Sequence, residues 1–455
     1  MNDLLATPGI RAFLRVWIGL TVSTLGSTLT AFALGIWIFQ ETGSTSQYAL
    51  VMFCAALPPL VLLPLAGPLI DRMPRRRLLV ICDLVAAAAV LALGLAGATG
   101  RLSLPIACAV VTATSAATAL QIPTWNATVT VLVPVRHLGR ANGLNQLSQA
   151  LAHVAAPLLA GVLVVRIGLA GIAALDLATF LVSLGLLLAT RIPDPEDAGR
   201  RRANYLRDLP VGWRAIVAQP GLLALLGVFL AGTFFSEVAS VLFTPFVLSF
   251  STPEALGTIL SLGGLGMLAG GAVMTVWGGP RRPALGATLF AAAAGFPILA
   301  AGFTTSTTAL AAVVAAYFFF LPLLAGSSQV VWQKAIPPDL QGRVFATRTA
   351  IVMAAAPLAP LLAGPLADGV FEPAMNVGGA LAPALGPWFG TGPGRGIAVI
   401  LVLAGVAGIG VGLAGAAHAP LRRLDRLPVE PVSPKIAPET PAGSSLAGST
   451  LPGGS

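Results

Sequence analysis

The chain predicts an all-α membrane protein of twelve transmembrane helices, folded as two pseudo-symmetric six-helix bundles. Three observations carry that reading. Of 455 residues, 56% are hydrophobic and 9% charged, with a mean hydropathy of +0.88, against about 25% charged residues in a typical soluble domain. Apolar stretches of roughly 20 residues or more, each long enough to cross a bilayer core of about 30 Å, recur along nearly the whole chain. The hexapeptide "APLLAG" occurs at 156–161 and again at 359–364, which points to a duplicated unit.

The spans follow from their punctuation, in order. The first, 12–39, contains "VWIGLTVSTLGSTLTAFALGIWIF", too long for the apolar core of a cleaved signal and lacking a convincing cleavage site, so it is expected to stay in the protein. Spans 2 and 3 (47–70 and 78–99) are separated by "GPLIDRMPRRR", and span 4 is 103–126. "LVPVRHLGR" leads into span 5 (141–165), closely followed by span 6 (169–190). The longest internal polar break, "RIPDPEDAGRRRANYLRDLPVGWRAIVAQP", precedes spans 7 to 10 at 221–250, 255–278, 284–302 and 307–332. "AIPPDLQGR" leads into span 11 (344–367), and span 12 is 394–417. The expected organisation is an N-terminal bundle over 1–190, a cytoplasmic central loop over 191–219 and a C-terminal bundle over 220–418. A disordered cytoplasmic tail over 419–455 completes it, too rich in Pro, Gly, Ser and Thr to build a core.

Twelve spans put both termini on one side, and cytoplasmic loops collect Lys and Arg. Segments on the side of the termini hold 23 of the 26 Lys and Arg, while the other face holds Arg101, Arg166 and Arg395. Both termini are therefore expected in the cytoplasm, with the chain a multi-pass protein of the cell membrane. The net charge of +9 matches cationic loops beside an anionic leaflet and calls for no nucleic acid. Cys54, Cys82 and Cys108 fall in apolar stretches, and neither they nor His137, His153 and His418 have metal-ligand spacing. No Gly-rich phosphate loop appears in the sequence. Neither a metal, a cofactor nor an enzymatic activity is expected.

Shifting the chain by 203 residues lays Pro157 and Gly161 on Pro360 and Gly364, and also Gly139 and Arg140 on Gly342 and Arg343. Two halves related by a parallel repeat are implied. At these residues the chain resembles the major facilitator superfamily. "GPLIDRMPRRR" is similar to that family's loop signature of Gly, three residues, Asp, a basic residue, any residue, Gly and two basic residues. Gly67, Asp71, Arg72, Arg75 and Arg76 carry it here, with Pro74 where the signature has Gly. "FLRVWIGLTVSTLGSTLTAFALGIWIFQETGS", "LDLATFLVS" and "IPPDLQGRVFATR" resemble the bacterial macrolide and siderophore exporter branch. "APLLAG" on span 5 is similar to a weakened antiporter signature in which Ala156 and Ala160 replace two glycines. The resemblance implies two bundles that rock about a central cavity, and a small-molecule substrate.

The residues themselves nominate candidates. Asp71 is placed to meet a helix N-terminus or a guanidinium across the cytoplasmic seam, a contact made in one rocking state and broken in the other. Asp83, Arg140 and Arg343 are expected to join this latch. Three acids lie well inside the spans, Asp83, Asp176 and Glu237, where a charge costs roughly 2.5–3.5 kcal/mol. Glu237, midway along span 7, is the first choice for a proton or cationic-substrate site, the alternative being a protonated or hydrogen-bonded side chain packed on a neighbouring helix, while Asp176 nearer the outer end serves either that role or a structural one. Asn142, Asn145, Gln146, Gln149 and His153 form a stripe along one face of span 5, which lines the cavity or bonds neighbouring helices. Gln121, Trp125 and Asn126 with Gln329, Trp332 and Gln333 add polar-aromatic surface near the cytoplasmic ends, where the tryptophans serve equally as interface anchors, and Phe234, Phe235, Phe243 and Phe246 offer either an apolar binding wall or lipid-facing packing. Pro157, Gly161, Pro360 and Gly364 read as shared helix-packing positions.

The expected function is proton-coupled efflux of a bulky hydrophobic drug, secondary metabolite or siderophore by a monomeric carrier. Uptake or lipid flipping on the same fold, and a transport-inactive sensor or scaffold, are the alternatives, because a fold does not fix direction.

Overall fold

The computed structural model describes residues 8–134, 137–192 and 205–426, and every regular element in them is helical. The N-terminal half comprises α1 (Pro8–Thr42), α2 (Thr45–Arg72), α3 (Arg75–Ala98), α4 (Leu104–Leu132) and α5 (Leu138–Leu188). Then come α6 (Tyr205–Val217), α7 (Pro220–Leu248), α8 (Pro253–Trp277), α9 (Pro283–Ala301) and α10 (Thr307–Ala335). The rest of the C-terminal half is α11 (Pro338–Met353), α12 (Leu358–Leu366), the short α13 (Glu372–Met375) and α14 (Ala382–Phe389), α15 (Arg395–Ala417) and α16 (Ala419–Arg423).

Eleven described helices are long and apolar enough to cross a membrane, and one of them runs from Gly143 to Leu188. A straight helix of 46 residues would be about 69 Å long, twice a bilayer core. It turns at Gly168, whose φ of 65° and ψ of 179° are not helical. Both arms return to the same stretch of α1. Thr21 Oγ1 lies 2.7 Å from Ser148 Oγ on the first arm, and Gly19 packs on the Ser183 backbone of the second. α5 therefore supplies spans 5 and 6, which makes twelve. That backbone region is essentially reserved for glycine and costs other residues about 1–3 kcal/mol. Gly168→Val is expected to lower the melting temperature of the purified protein by several degrees in differential scanning fluorimetry, whereas the same change at the open, helical Gly185 is expected to do less.

The eleventh span is broken as well. After α11 the chain makes a turn through Pro357, which lacks the N–H an uninterrupted helix would use. α12 follows, then a π-helical turn over Ala367–Phe371 before α13. The inserted residue of a π turn re-aims the side chains around it, here Asp368 and Glu372. Glu372 accepts hydrogen bonds from Gly394 N (3.0 Å) and Ile397 N (2.9 Å), capping α15.

Packing follows membrane rules. Buried contacts use small residues, among them Ala33, Ala156, Ala160, Ala359 and Ala363, which let helices approach closely. Leu95, Val165, Leu181 and Val276 are exposed, as expected of a lipid-facing surface. The central segment contains α6, an amphipathic helix that buries Ile216 against Leu222, Trp332 and Val344. The structure thus places a docked helix inside what the sequence presents as a polar break.

The two copies of "APLLAG" sit in the seam between the halves. A Cβ on Gly161 would lie 2.6 Å from Pro253 O at the start of α8. One on Gly364 would lie 2.7 Å from Ala49 Cβ and 2.8 Å from Ser46 Cα at the start of α2. Each copy therefore packs on the opposite half, at the end of the bundle remote from the termini. Ile36 of α1 joins Val238 and Leu242 of α7 in one buried cluster at that same end.

Candidate functional site

Two polar features occupy the N-terminal half. Near the end that carries the termini, a cavity of about 480 Å3 is lined by Trp17, Thr21, Gln121, Trp125, Asn126, Asn145, Ser148 and Gln149. Trp125 Nε1 donates to Asn145 Oδ1 at 3.1 Å, and its ring stacks on Phe13 at 5.5 Å. Asn145 and Gln149 thus face this cavity, whereas His153 is exposed on the same helix. The side chains of Asn142 and Gln146 lie outside the described residues.

A second cavity, of about 400 Å3, continues deeper between α1, α4 and α5. Thr24, Gln121, Ile122 and Gln149 border both cavities, so the polar lining is continuous from one to the other. Asp176 lies on the second arm of α5 and is 1% exposed at the inner wall of this cavity. Asp83 is equally buried but differently held. Its carboxylate accepts from Gln121 Nε2 (2.6 Å) and from Ser183 Oγ (2.9 Å), tying α3 to α4 and α5.

Glu237 belongs to the other half. It is half-buried on α7 and lines a cavity of about 230 Å3 between α7, α9, α10 and α15, among Phe229, Phe235, Ser236, Tyr317 and Leu321. Ser236, Ile298 and Tyr317 also border a neighbouring cavity of about 200 Å3, where Phe243, Thr244 and Phe318 meet Phe32 and Tyr48 of the N-terminal half. The result is an aromatic chamber between the halves with one carboxyl group beside it. Of the other phenylalanines on α7, Phe234 stacks edge-on against Phe235 and Phe246 is fully buried against Phe250.

The loop-signature residues fall at the termini end. Arg75 donates to Ala127 O (2.7 Å) and Arg76 to Leu188 O, stitching the start of α3 to α4 and α5. Arg140 and Arg343 are exposed on α5 and α11. The side chains of Gly67, Asp71 and Arg72 lie outside the described residues.

Sequence reasoning passed over two residues. Arg348 is counted with the loop cations, yet it lies inside α11, donates to Gln329 Oε1 (3.1 Å) and stacks over Phe229 and Trp332 at 5.7 and 5.3 Å. Buried Trp332 is thus a platform for a cation, and Gln333 beside it is exposed. Asp368 crosses the seam: its carboxylate accepts from Ser44 Oγ (2.7 Å), Thr45 N (3.1 Å) and Ser46 N (2.8 Å) at the start of α2.

A duplicated twelve-helix bundle enclosing buried carboxyl groups and a chamber between its halves defines a membrane carrier. The chain belongs to the Major Facilitator Superfamily, whose family model matches residues 16–360. It is 26% identical to macrolide efflux protein A of Streptococcus pyogenes over 366 residues, 79% of this chain and 90% of the relative. It is likewise 26% identical to the multidrug efflux pump Tap of Mycolicibacterium fortuitum over 362 residues, 75% and 86% of the two chains. Among solved structures, a bacterial homolog of the human lysosomal transporter Spinster, inward-facing and unoccupied, matches with a TM-score of 0.66 at 18% identity, covering 93% of this chain and 98% of that one. The nucleoside transporter NupG matches at 0.66 and 12% identity, covering 89% and 99%. The protein is a multi-pass membrane transporter of small molecules, and not an enzyme.

Proposed function

We propose that the protein exports a bulky, largely hydrophobic compound of the macrolide or drug class, in exchange for protons, by alternating access. The observation that carries this reading is the aromatic chamber between the halves with Glu237 beside it. Ligand sites are mostly apolar with a few convergent polar groups, and this one would suit an apolar molecule bearing a basic nitrogen. The relatives named for macrolide and multidrug efflux support the substrate class. The distribution of Lys and Arg supports placing the termini in the cytoplasm. On that orientation the tight seam lies outside, and the continuous polar cavities open from the cytoplasm.

Energy comes from the ion gradient in this reading. One proton moving down 100 mV supplies about 2.3 kcal/mol. Loading from the cytoplasm, rocking about the seam and reprotonation from outside complete the cycle, with Asp71 and the arginines around it closing the cytoplasmic side when the outside opens. A monomer contains every part of this machine.

Inverted membrane vesicles test the proposal. Acidifying their interior is expected to drive accumulation of a radiolabelled macrolide or a lipophilic cationic dye, and a protonophore to abolish it. Gradient-driven extrusion from such vesicles would instead mean uptake in the cell and would reverse the direction proposed here.

A further inference from the structure

Two aspartates of the N-terminal half are equally buried and differ in chemistry. Asp83 has both oxygens occupied, one by an amide and one by a hydroxyl, which is the signature of a brace between helices. Asp176 does not. Its Oδ1 receives only a 3.2 Å contact from Thr179 Oγ1, whose proton is also directed to the Asp176 main-chain oxygen at 2.7 Å. Its Oδ2 has no hydrogen-bond partner, and neither has the buried Thr30 Oγ1 on α1. The Ser27 and Thr30 hydroxyls nevertheless stand close enough to act on the carboxyl group. Gly26 permits that approach, since a Cβ there would lie 2.6 Å from Asp176 Oδ1.

We infer that Asp176, with the hydroxyls of Ser27, Thr30 and Thr179, holds a small monovalent cation, Na+ or a proton, within the N-terminal half. Leaving a buried charged group unsatisfied costs more than the 1–3 kcal/mol of an unpaired neutral one, and a cation between Oδ2 and Thr30 Oγ1 satisfies both. The donors are all hard oxygens, which suit alkali ions or protons rather than soft metals. A lone carboxylate balances one positive charge, so a divalent ion would leave net charge inside the bilayer, where charge is expensive. Among the described residues lining this cavity, Asp176 is the only ionisable one. α1, α2, α3, α4 and the first arm of α5 face it with neutral side chains, and Asp83 reaches it only through Gln121. The shared lining of Gln121 and Gln149 gives an ion a polar path from the termini end.

The inference deepens the reading of the protein as an ion-driven carrier and rests on it for purpose, but its test reads binding alone. A failed transport assay and a failed binding assay therefore remain distinct. The full chain in lipid nanodiscs is assayed for 22Na+ binding at alkaline pH, and for a titrating carboxyl band by infrared difference spectroscopy between wild type and Asp176→Asn. Saturable, proton-displaced 22Na+ binding that Asp176→Asn abolishes and Glu237→Gln retains identifies Na+ as the occupant. A titrating carboxyl band assigned to Asp176, without 22Na+ binding, identifies the proton. Thr30→Val keeps the carboxyl group and is expected to weaken binding about tenfold or shift the titration midpoint by about one pH unit, the worth of one hydrogen bond to a charged group. Neither signal in the wild type, or signals unchanged in Asp176→Asn, overturns the inference. Should Asp176→Asn fail to fold, an unchanged Thr30→Val overturns it equally.

Discussion

Glu237→Gln is expected to abolish proton-driven accumulation of substrate in inverted vesicles while leaving the protein folded. The side chain is half-buried beside Ser236 and Tyr317 in a cavity with room for an amide of the same shape, so packing is preserved. What is lost is the ability to hold and release a proton, or to balance a basic nitrogen on the substrate. Fully coupled to one proton at 100 mV, the wild type sustains an accumulation of about 50-fold, and the variant is expected to fall to about one. Exchange of labelled for unlabelled substrate at equal concentrations separates the two roles. Exchange that survives in the variant assigns Glu237 to coupling, and exchange that is lost assigns it to the substrate. Accumulation equal to the wild type, still collapsed by a protonophore, would remove Glu237 from the mechanism.

Much of the architecture was legible because a bilayer is a severe solvent. Spans must be long and apolar, so Arg395–Ala417 begins one residue from the expected start of span 12 and ends with it. The duplicated hexapeptide named its own importance but not its partner, because pairing across the two halves is a property of the assembled bundle. The misread residues share a physical cause. In sequence Arg348 reads as a loop cation beside Arg343, although it stands four residues, one helical turn, beyond the expected start of span 11. A guanidinium tolerates that depth by stacking on Phe229 and Trp332, and aromatic platforms from α7 and α10 leave no local trace near position 348. Asp368 fell one residue past the expected end of the same span, yet it lies on the face of Gly364, four residues earlier. Depth along the spans separates Asp83, toward the latch, from Asp176, toward the outer end, but the hydroxyls and amides that neighbouring helices bring to each leave no trace in the sequence.

Asp368→Ala is expected to shift the conformational equilibrium toward the state open at the end remote from the termini. Any such opening must part the eleventh span from the start of α2. The Asp368 carboxylate holds them there, taking three hydrogen bonds from Ser44, Thr45 and Ser46. It also faces the positive end of the α2 dipole, a placement worth up to about 2 kcal/mol when partly buried. Water replaces much of this on opening, so a net loss of about 2 kcal/mol is a fair expectation, equivalent to about 30-fold in the ratio of closed to open states. Among the described residues the other seam has no equivalent. Position 165, which the 203-residue repeat sets opposite Asp368, is valine, and the start of α8 is capped by its own Thr252 through Ala255 N. Val165 therefore offers no analogous clasp to remove, and Asp368→Ala breaks a tie that the described residues make at one seam only. Spin labels at Glu41 and Val377, exposed positions on the two halves at that end, read the separation directly in a background with Cys54, Cys82 and Cys108 replaced. A second, longer distance should grow in the variant, and Asp368→Glu should restore part of the short one. An unchanged distance distribution would reduce Asp368 to a helix cap with no part in gating. A substrate that loads from the termini end should meanwhile show a raised KM in the variant, because the state that binds it is less populated.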